Sequence, residues 1–338
     1  MSRQGHPGHG PREPVTRGAP AVPGSIRRTI VTDAEGGRSP GGVLALRGSA
    51  RDLHVGPAGG ATVVDTATTD LVIDRSAGAP VVAELVTMPA RPGAGVLVGG
   101  PAQSGFRAAL AAALPEEQAT GSLLYRLLDD VPGMMIISGY ARAVEPPVDV
   151  AAGGGRTPPA NVCSGWRSDG TMMVAIRRDG GLPPMSGPAA PDLAADGPGA
   201  WHPHRTQQPG EVRRVRRTDV VTAGAVVRVE AMFRDTYRDT AGAESVVHEY
   251  RLEVQVDRAD RRIRTVRAEP RVLPWTECPI AAASAERLVG LEIDLVPRVV
   301  RAGFAGTSTC THLNDALRAL ADVPALLAHL ERPAAPGL

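Results

Sequence analysis

Thr309-Cys310-Thr311-His312-Leu313-Asn314-Asp315 sets a thiol and an imidazole two residues apart, where a helix should begin. Leu313, Ala316, Leu317 and Leu320 recur at i, i+3, i+4 and i+7, the period of an amphipathic helix. Thr311 reads as its N-cap and Pro324 as its stop. Cys310 therefore stands ahead of a helix N-terminus, where the backbone dipole favours a thiolate over a thiol. Cys278 repeats the arrangement, because Pro279 suits a first helical position and an alanine-rich run, residues 280–289, follows. His248 comes from a strand. Val246, His248, Tyr250, Leu252, Val254 and Val256 alternate with Val247, Glu249, Arg251, Glu253 and Gln255, which puts His248 at the entry of the core-facing row.

Together His248, Cys278, Cys310 and His312 form a Cys2His2 set, whose expected cofactor is zinc or an iron–sulfur species. Their dispersed spacing matches no compact zinc finger. The rival chemistry is nucleophilic: Cys310 is the candidate catalytic residue of a cysteine-dependent transferase or hydrolase, with His312 or His248 as base. A third reading is a structural binding module, in which each cysteine is a small buried hydrophobe and His248 an ordinary core histidine. Asp235 could orient a histidine but reads as structural. The run Arg213-Arg214-Val215-Arg216-Arg217 reads as a solvated strand edge rather than a phosphate site, and His202 and His204 as loop residues.

The elements that must carry these groups repeat. Arg216-Arg217-Thr218 echoes Arg27-Arg28-Thr29, and Arg234-Asp235 echoes Arg51-Asp52. Thirteen residues after each aspartate come His248 and Asp65. Leu288-Val289-Gly290 matches Leu97-Val98-Gly99, and Asp322-Val323-Pro324 matches Asp130-Val131-Pro132. Such matching offsets read as two copies of one α+β unit, each an antiparallel sheet followed by helices. In the first copy, strands fit residues 43–46, 61–73 and 81–87, and helices 104–114 and 122–130. Under this alignment Cys310 and His312 face Gln118 and Thr120, and Asp65 replaces His248. The site belongs to the second copy alone, and the first is a degenerate packing partner.

The expected organisation is a disordered leader (1–24), the degenerate copy (25–135), a Gly/Pro-rich connector (136–211), the site-bearing copy (212–330) and a tail (331–338). Within the connector, residues 171–176 read as a strand, and Trp166 and Trp201 favour a partly ordered strap. The 338 residues include 37 basic side chains, all arginine, against 36 acidic ones. A net charge of +1 carries no nucleic-acid signature, and no apolar run reaches membrane-spanning length. Three cysteines suit a reducing, cytoplasmic setting. A small-molecule or protein partner is expected, with the oligomeric state left open.

Two resemblances follow. Cys310-Thr311-His312-Leu313, the Val247-His248 strand, residues 274–279, Arg216-Arg217-Thr218 and Cys163-Ser164-Gly165-Trp166 resemble the bacterial family filed as domain of unknown function 2889, which implies no established activity. More distantly, residues 245–325 are similar to iron–sulfur cluster scaffold proteins. There a cysteine precedes an Ala/Ser-rich helix, as Cys278 does, and another opens the last helix, as Cys310 does. That resemblance implies a small antiparallel sheet with a helical layer, Cys278 and Cys310 as ligands, and His248 in place of an acidic ligand.

Overall fold

The computed structural model describes residues 8–19, 21–39, 41–145, 159–180, 183, 185–197 and 199–332. Residues 1–7 of the expected leader, 146–158 of the connector and 333–338 of the tail lie outside them.

Segments rich in Val, Ile and Thr form strands β1 (Ser25–Glu35), β2 (Val43–Val55), β3 (Ala61–Asp74) and β4 (Val81–Met88), then β5 (Val212–Ala223), β6 (Val226–Arg238), β7 (Glu244–Asp257) and β8 (Ile263–Val272). They make one eight-stranded antiparallel sheet in the order β4-β3-β2-β1-β5-β6-β7-β8. Glycine sets the hairpins. Gly36 adopts φ 91°, and a Cβ there would lie 2.4 Å from the Val43 carbonyl oxygen. The two four-stranded runs meet where β1 pairs with β5, with Ile30 opposite Arg216. Reciprocal ion pairs flank that seam: Arg27 to Asp219 and Arg213 to Asp33, each at 2.6 Å.

Each run of strands is followed by helices: α1 (Phe106–Ala113), α2 (Pro115–Thr120), α3 (Leu123–Asp129), α4 (Val131–Ile137) and α5 (Tyr140–Val144), then, after α6 (Thr171–Asp179) and β5–β8, α7 (Val296–Gly303), α8 (Thr311–Arg318) and α9 (Val323–Leu330). Their apolar faces and one face of the sheet share a single core that includes Ile30, Leu127, Leu128, Val220, Leu313 and Leu317. The opposite face at the seam is covered by the connector. Trp201 and Leu193 pack on Val31, Val215 and Met232, and the His202 ring reaches Thr29 Oγ1 at 2.8 Å and Ser49 Oγ at 3.0 Å.

Several expectations change. Residues 171–176 form helix α6 rather than a strand: Met172, Met173, Ala175 and Ile176 are buried at helical spacing, and Gly180 ends the helix in the left-handed region. Cys310, not Thr311, is the N-cap of α8, and Pro324 opens α9 after a 3-10 turn, residues 319–322, instead of stopping the run. The arginine run 213–217 is no solvated edge. It lies in the central strand β5, buried throughout. Within the expected leader, residues 12–15 run beside β7 and β8: Arg12 bridges Val272, the Glu13 N–H donates to the Arg271 carbonyl, and the Val15 N–H donates to Glu249.

Candidate metal centre

On the helix-facing side of β5, Arg214 donates to both oxygens of Asp235, at 2.7 and 2.9 Å, and a third nitrogen lies 3.2 Å from Asp315. Burial opposes the charge on Asp235, but the Arg214 guanidinium outweighs it and holds the carboxyl below the ordinary carboxylate range. Directly across the β6–β7 ladder stands His248, beside a register shift between Asp235 and Thr236. Its Nδ1 lies 3.4 Å from Asp235 Oδ2, and its Nε2 lies 3.0 Å from the Tyr140 hydroxyl on α5. Among the described residues Nδ1, though buried, makes no hydrogen bond, so the nitrogen that faces Asp235 is free while Nε2 is engaged by Tyr140. Burial pushes the His248 pKa down despite Asp235, which keeps the ring neutral.

His312, in the first turn of α8, stacks on His248 with ring centroids 3.7 Å apart and planes 20° from parallel. Its Nδ1 lies 3.8 Å from Cys310 Sγ. Its Nε2 is buried and has no hydrogen-bond partner among the described residues. Burial, then the neighbouring His248, takes the His312 pKa well below its usual value. Burial lowers both imidazoles below the ordinary histidine value, so both are free bases at neutral pH.

The thiols meet here too. Cys310 is pushed up by burial, against the Leu313 and His312 N–H groups of the α8 terminus and the Tyr250 hydroxyl. The dipole argument for a thiolate fails for that reason: desolvation exceeds the pull of one helix end. Cys278 opens the 3-10 segment Cys278–Leu288, and burial raises it, with Cys310 as the next cause. Cys163 is pushed up to about 12 by burial and by Cys310. It arrives on the connector, where the Ser164 N–H donates to the Thr309 carbonyl at 2.8 Å and the Ser164 hydroxyl to the Cys278 carbonyl at 3.2 Å. Gly165 sits so close that a Cβ would fall 2.6 Å from Cys278 Sγ.

Of the four residues expected as ligands, the structure brings His248 and His312 together and puts Cys310 against His312. Among the described residues, the group whose ligand atoms all lie within 4.8 Å of one another is Asp235, His248 and His312. Cys278 neighbours Cys310 outside that group. Asp235, set aside in the sequence as structural, faces His248 as well as Arg214. Tyr140 carried no sequence signal as a site residue, and Cys163, marked only as ligand-capable within Cys163-Ser164-Gly165-Trp166, was not joined to the set because the connector has no periodicity to place it. The thirteen-residue spacing between Asp235 and His248 was the signal for that pair, because a hairpin of that length sets them opposite each other.

Residues 212–326 match the model of a family described as "Protein of unknown function (DUF2889)". That stretch carries Arg214, Asp235, His248, Cys278, Cys310 and His312, whereas Tyr140 and Cys163 lie outside it. No curated protein and no solved structure matches the chain.

Proposed function

We propose that this is a metal-binding protein whose ion is held by the cluster of Asp235, His248 and His312, with Cys310, which lies beside it against His312 Nδ1, recruited as a further anionic donor. The observation that carries the reading is two buried ring nitrogens without a partner among the described residues, His312 Nε2 and His248 Nδ1, on residues that, with Asp235, bring a ligand atom each within 4.8 Å of one another. A buried polar atom without a partner costs about 1–3 kcal/mol, and a ligand relieves that cost. The donor types fit: neutral imidazoles bind without losing a proton, and two imidazoles with a carboxylate and a thiolate suit zinc or iron(II). Cys278, next to Cys310, is the further thiolate that an iron–sulfur species in the manner of the scaffold proteins would recruit. Bound there, the ion would supply Lewis-acid character or, as iron, a redox couple. The chain's own residues do the positioning: Arg214 fixes Asp235, Tyr140 orients His248, and the Cys163–Trp166 turn helps to close the pocket.

Nucleophilic catalysis by Cys310 is the weaker alternative. Its thiol is buried and raised in pKa, whereas a nucleophilic cysteine needs thiolate character and access.

The two halves support the reading of one unit present twice. Arg28 lies opposite Asp52 and Asp52 opposite Asp65; Arg214 lies opposite Asp235 and Asp235 opposite His248. A register shift follows each aspartate. This pairing aligns Arg28 with Arg214, three residues from the match suggested by Arg216-Arg217-Thr218.

Elemental analysis of untagged protein purified anaerobically without chelator tests the function. About one zinc or iron per chain is expected. It should be lost from the double variant His248→Ala, His312→Ala and reduced in Cys278→Ser, Cys310→Ser. Absence of metal, or retention in the histidine double variant, would refute the reading.

A further inference from the structure

A cleft of about 830 Å³ opens between the α2–α3 turn of the first half and helices α7–α9 of the second. That volume is ample for a small-molecule ligand. The cleft occupies the first half's counterpart of the metal centre. Arg28 and Asp52 line it as Arg214 and Asp235 line the closed cluster, and Asp65 stands where His248 does. Taking the Asp130/Asp322 offset, the counterparts of His312, Cys310 and Tyr140 are Thr120, Gln118 and Arg332, and all three line the cleft. No imidazole pair or thiol meets there, so this site is not a second copy of the metal centre.

What it offers is positive charge. Seven arginines and four aspartates line the walls. Arg28, Arg126, Arg261 and Arg318 are neutralised by Asp52, Asp322, Asp294 and Asp315. Arg298, Arg301 and Arg332 differ: among the described residues, no carboxylate lies within ion-pair distance of any of them, although all three line the cleft. Arg298 and Arg301 lie three residues apart on α7, which directs both to one side of that helix. The arginine-rich composition does not account for this. The buried guanidinium groups of Arg27, Arg213, Arg214 and Arg216 sit against aspartates, whereas here three are left together around an open volume.

We propose that the cleft is a binding site for a small molecule bearing two or more phosphate groups. Planar guanidinium forks match phosphate oxygens in bidentate fashion, and an excess of three cations is what a diphosphate neutralises. Asp65, exposed and without an ion-pair partner among the described residues, is left to accept from a hydroxyl or amine elsewhere on such a ligand. The proposal does not depend on a metal being bound in the other half.

Isothermal titration of the full chain with inorganic pyrophosphate at fixed ionic strength tests it, with citrate as a carboxylate of similar charge. The expected result is saturable binding of one pyrophosphate. Binding should weaken at least tenfold in Arg298→Gln, Arg301→Gln and be unchanged in Arg228→Gln, an exposed β6 arginine that does not line the cleft. The substituted side chains are all exposed, so the fold is not at stake. Lack of saturation, an equal loss in Arg228→Gln, or citrate binding as tightly as pyrophosphate would overturn the assignment.

Discussion

His202 and Cys310 show how burial, more than partner identity, sets protonation in this chain. The His202 ring lies between two hydroxyls under the connector, and its pKa is pushed down to about 3 by burial and then by His204 and Arg51. Its unfolded value is near 6.5, so both states are neutral above that pH and the ring contributes no pH dependence there. Between about 6.5 and 3 the unfolded chain binds a proton that the folded chain does not, and stability falls as pH falls, by about 1.4 kcal/mol per pH unit from this residue. Thermal midpoints measured from pH 7 to pH 4 should fall less steeply in His202→Gln than in the parent; parallel curves would contradict the neutral ring. Cys310 gives the complementary prediction. Because the histidines are already free bases and Cys310 is a thiol, loading zinc should release about one proton per chain. Calorimetry in buffers of different ionisation enthalpy reads that number, and it should drop to near zero in Cys310→Ser. Release unchanged in the variant would remove Cys310 from the ligand set. Much of this cluster was legible from residue type, since His248, Cys310 and His312 were picked out by their places on a strand and at a helix start. The charge state was not, because it depends on how deeply the chain buries them.

The element that the sequence described least well is the connector. Its Gly and Pro content suppresses any period, so α6 read as a strand, and nothing marked Cys163 or Tyr140 as neighbours of His248. In the structure the turn at residues 163–166 docks against the Cys278 and Thr309 loops through two hydrogen bonds and the close approach of Gly165. An alanine at Gly165 would press its Cβ into Cys278 Sγ, and overpacking of that kind costs about 1–3 kcal/mol. Gly165→Ala should lower the melting temperature. It should also speed alkylation of Cys278 by N-ethylmaleimide under native conditions, read by mass spectrometry of the modified peptide. Gly95→Ala, where a new Cβ meets nothing within 4 Å, is the matched control. Equal rates in parent, Gly165→Ala and Gly95→Ala would show that the turn does not shield the thiol.

At the scale of the molecule, the repeated offsets anticipated two successive sheet-and-helix runs but not that they would share one sheet. That outcome turns on β5, whose arginines read as solvated until β1 and the helices of the first half supply their partners. Arg213 pairs with Asp33 of β1, and Arg216 is held by both oxygens of Asp130 at 2.7 Å. Tyr140, which orients His248, also belongs to the first half. A fragment spanning residues 159–332 would therefore expose the β5 edge, leave Arg213 and Arg216 without these carboxylates, and lose the hydroxyl on His248. Removing one partner of a buried ion pair costs about 3–5 kcal/mol, and two such losses approach the whole stability of a domain, about 5–15 kcal/mol. The fragment should show no cooperative thermal transition by circular dichroism, and mixing it with a fragment covering residues 8–145 should restore one. A cooperative transition in the isolated fragment would mean that the second half is a self-sufficient domain. The candidate metal centre would then have to be explained without Tyr140.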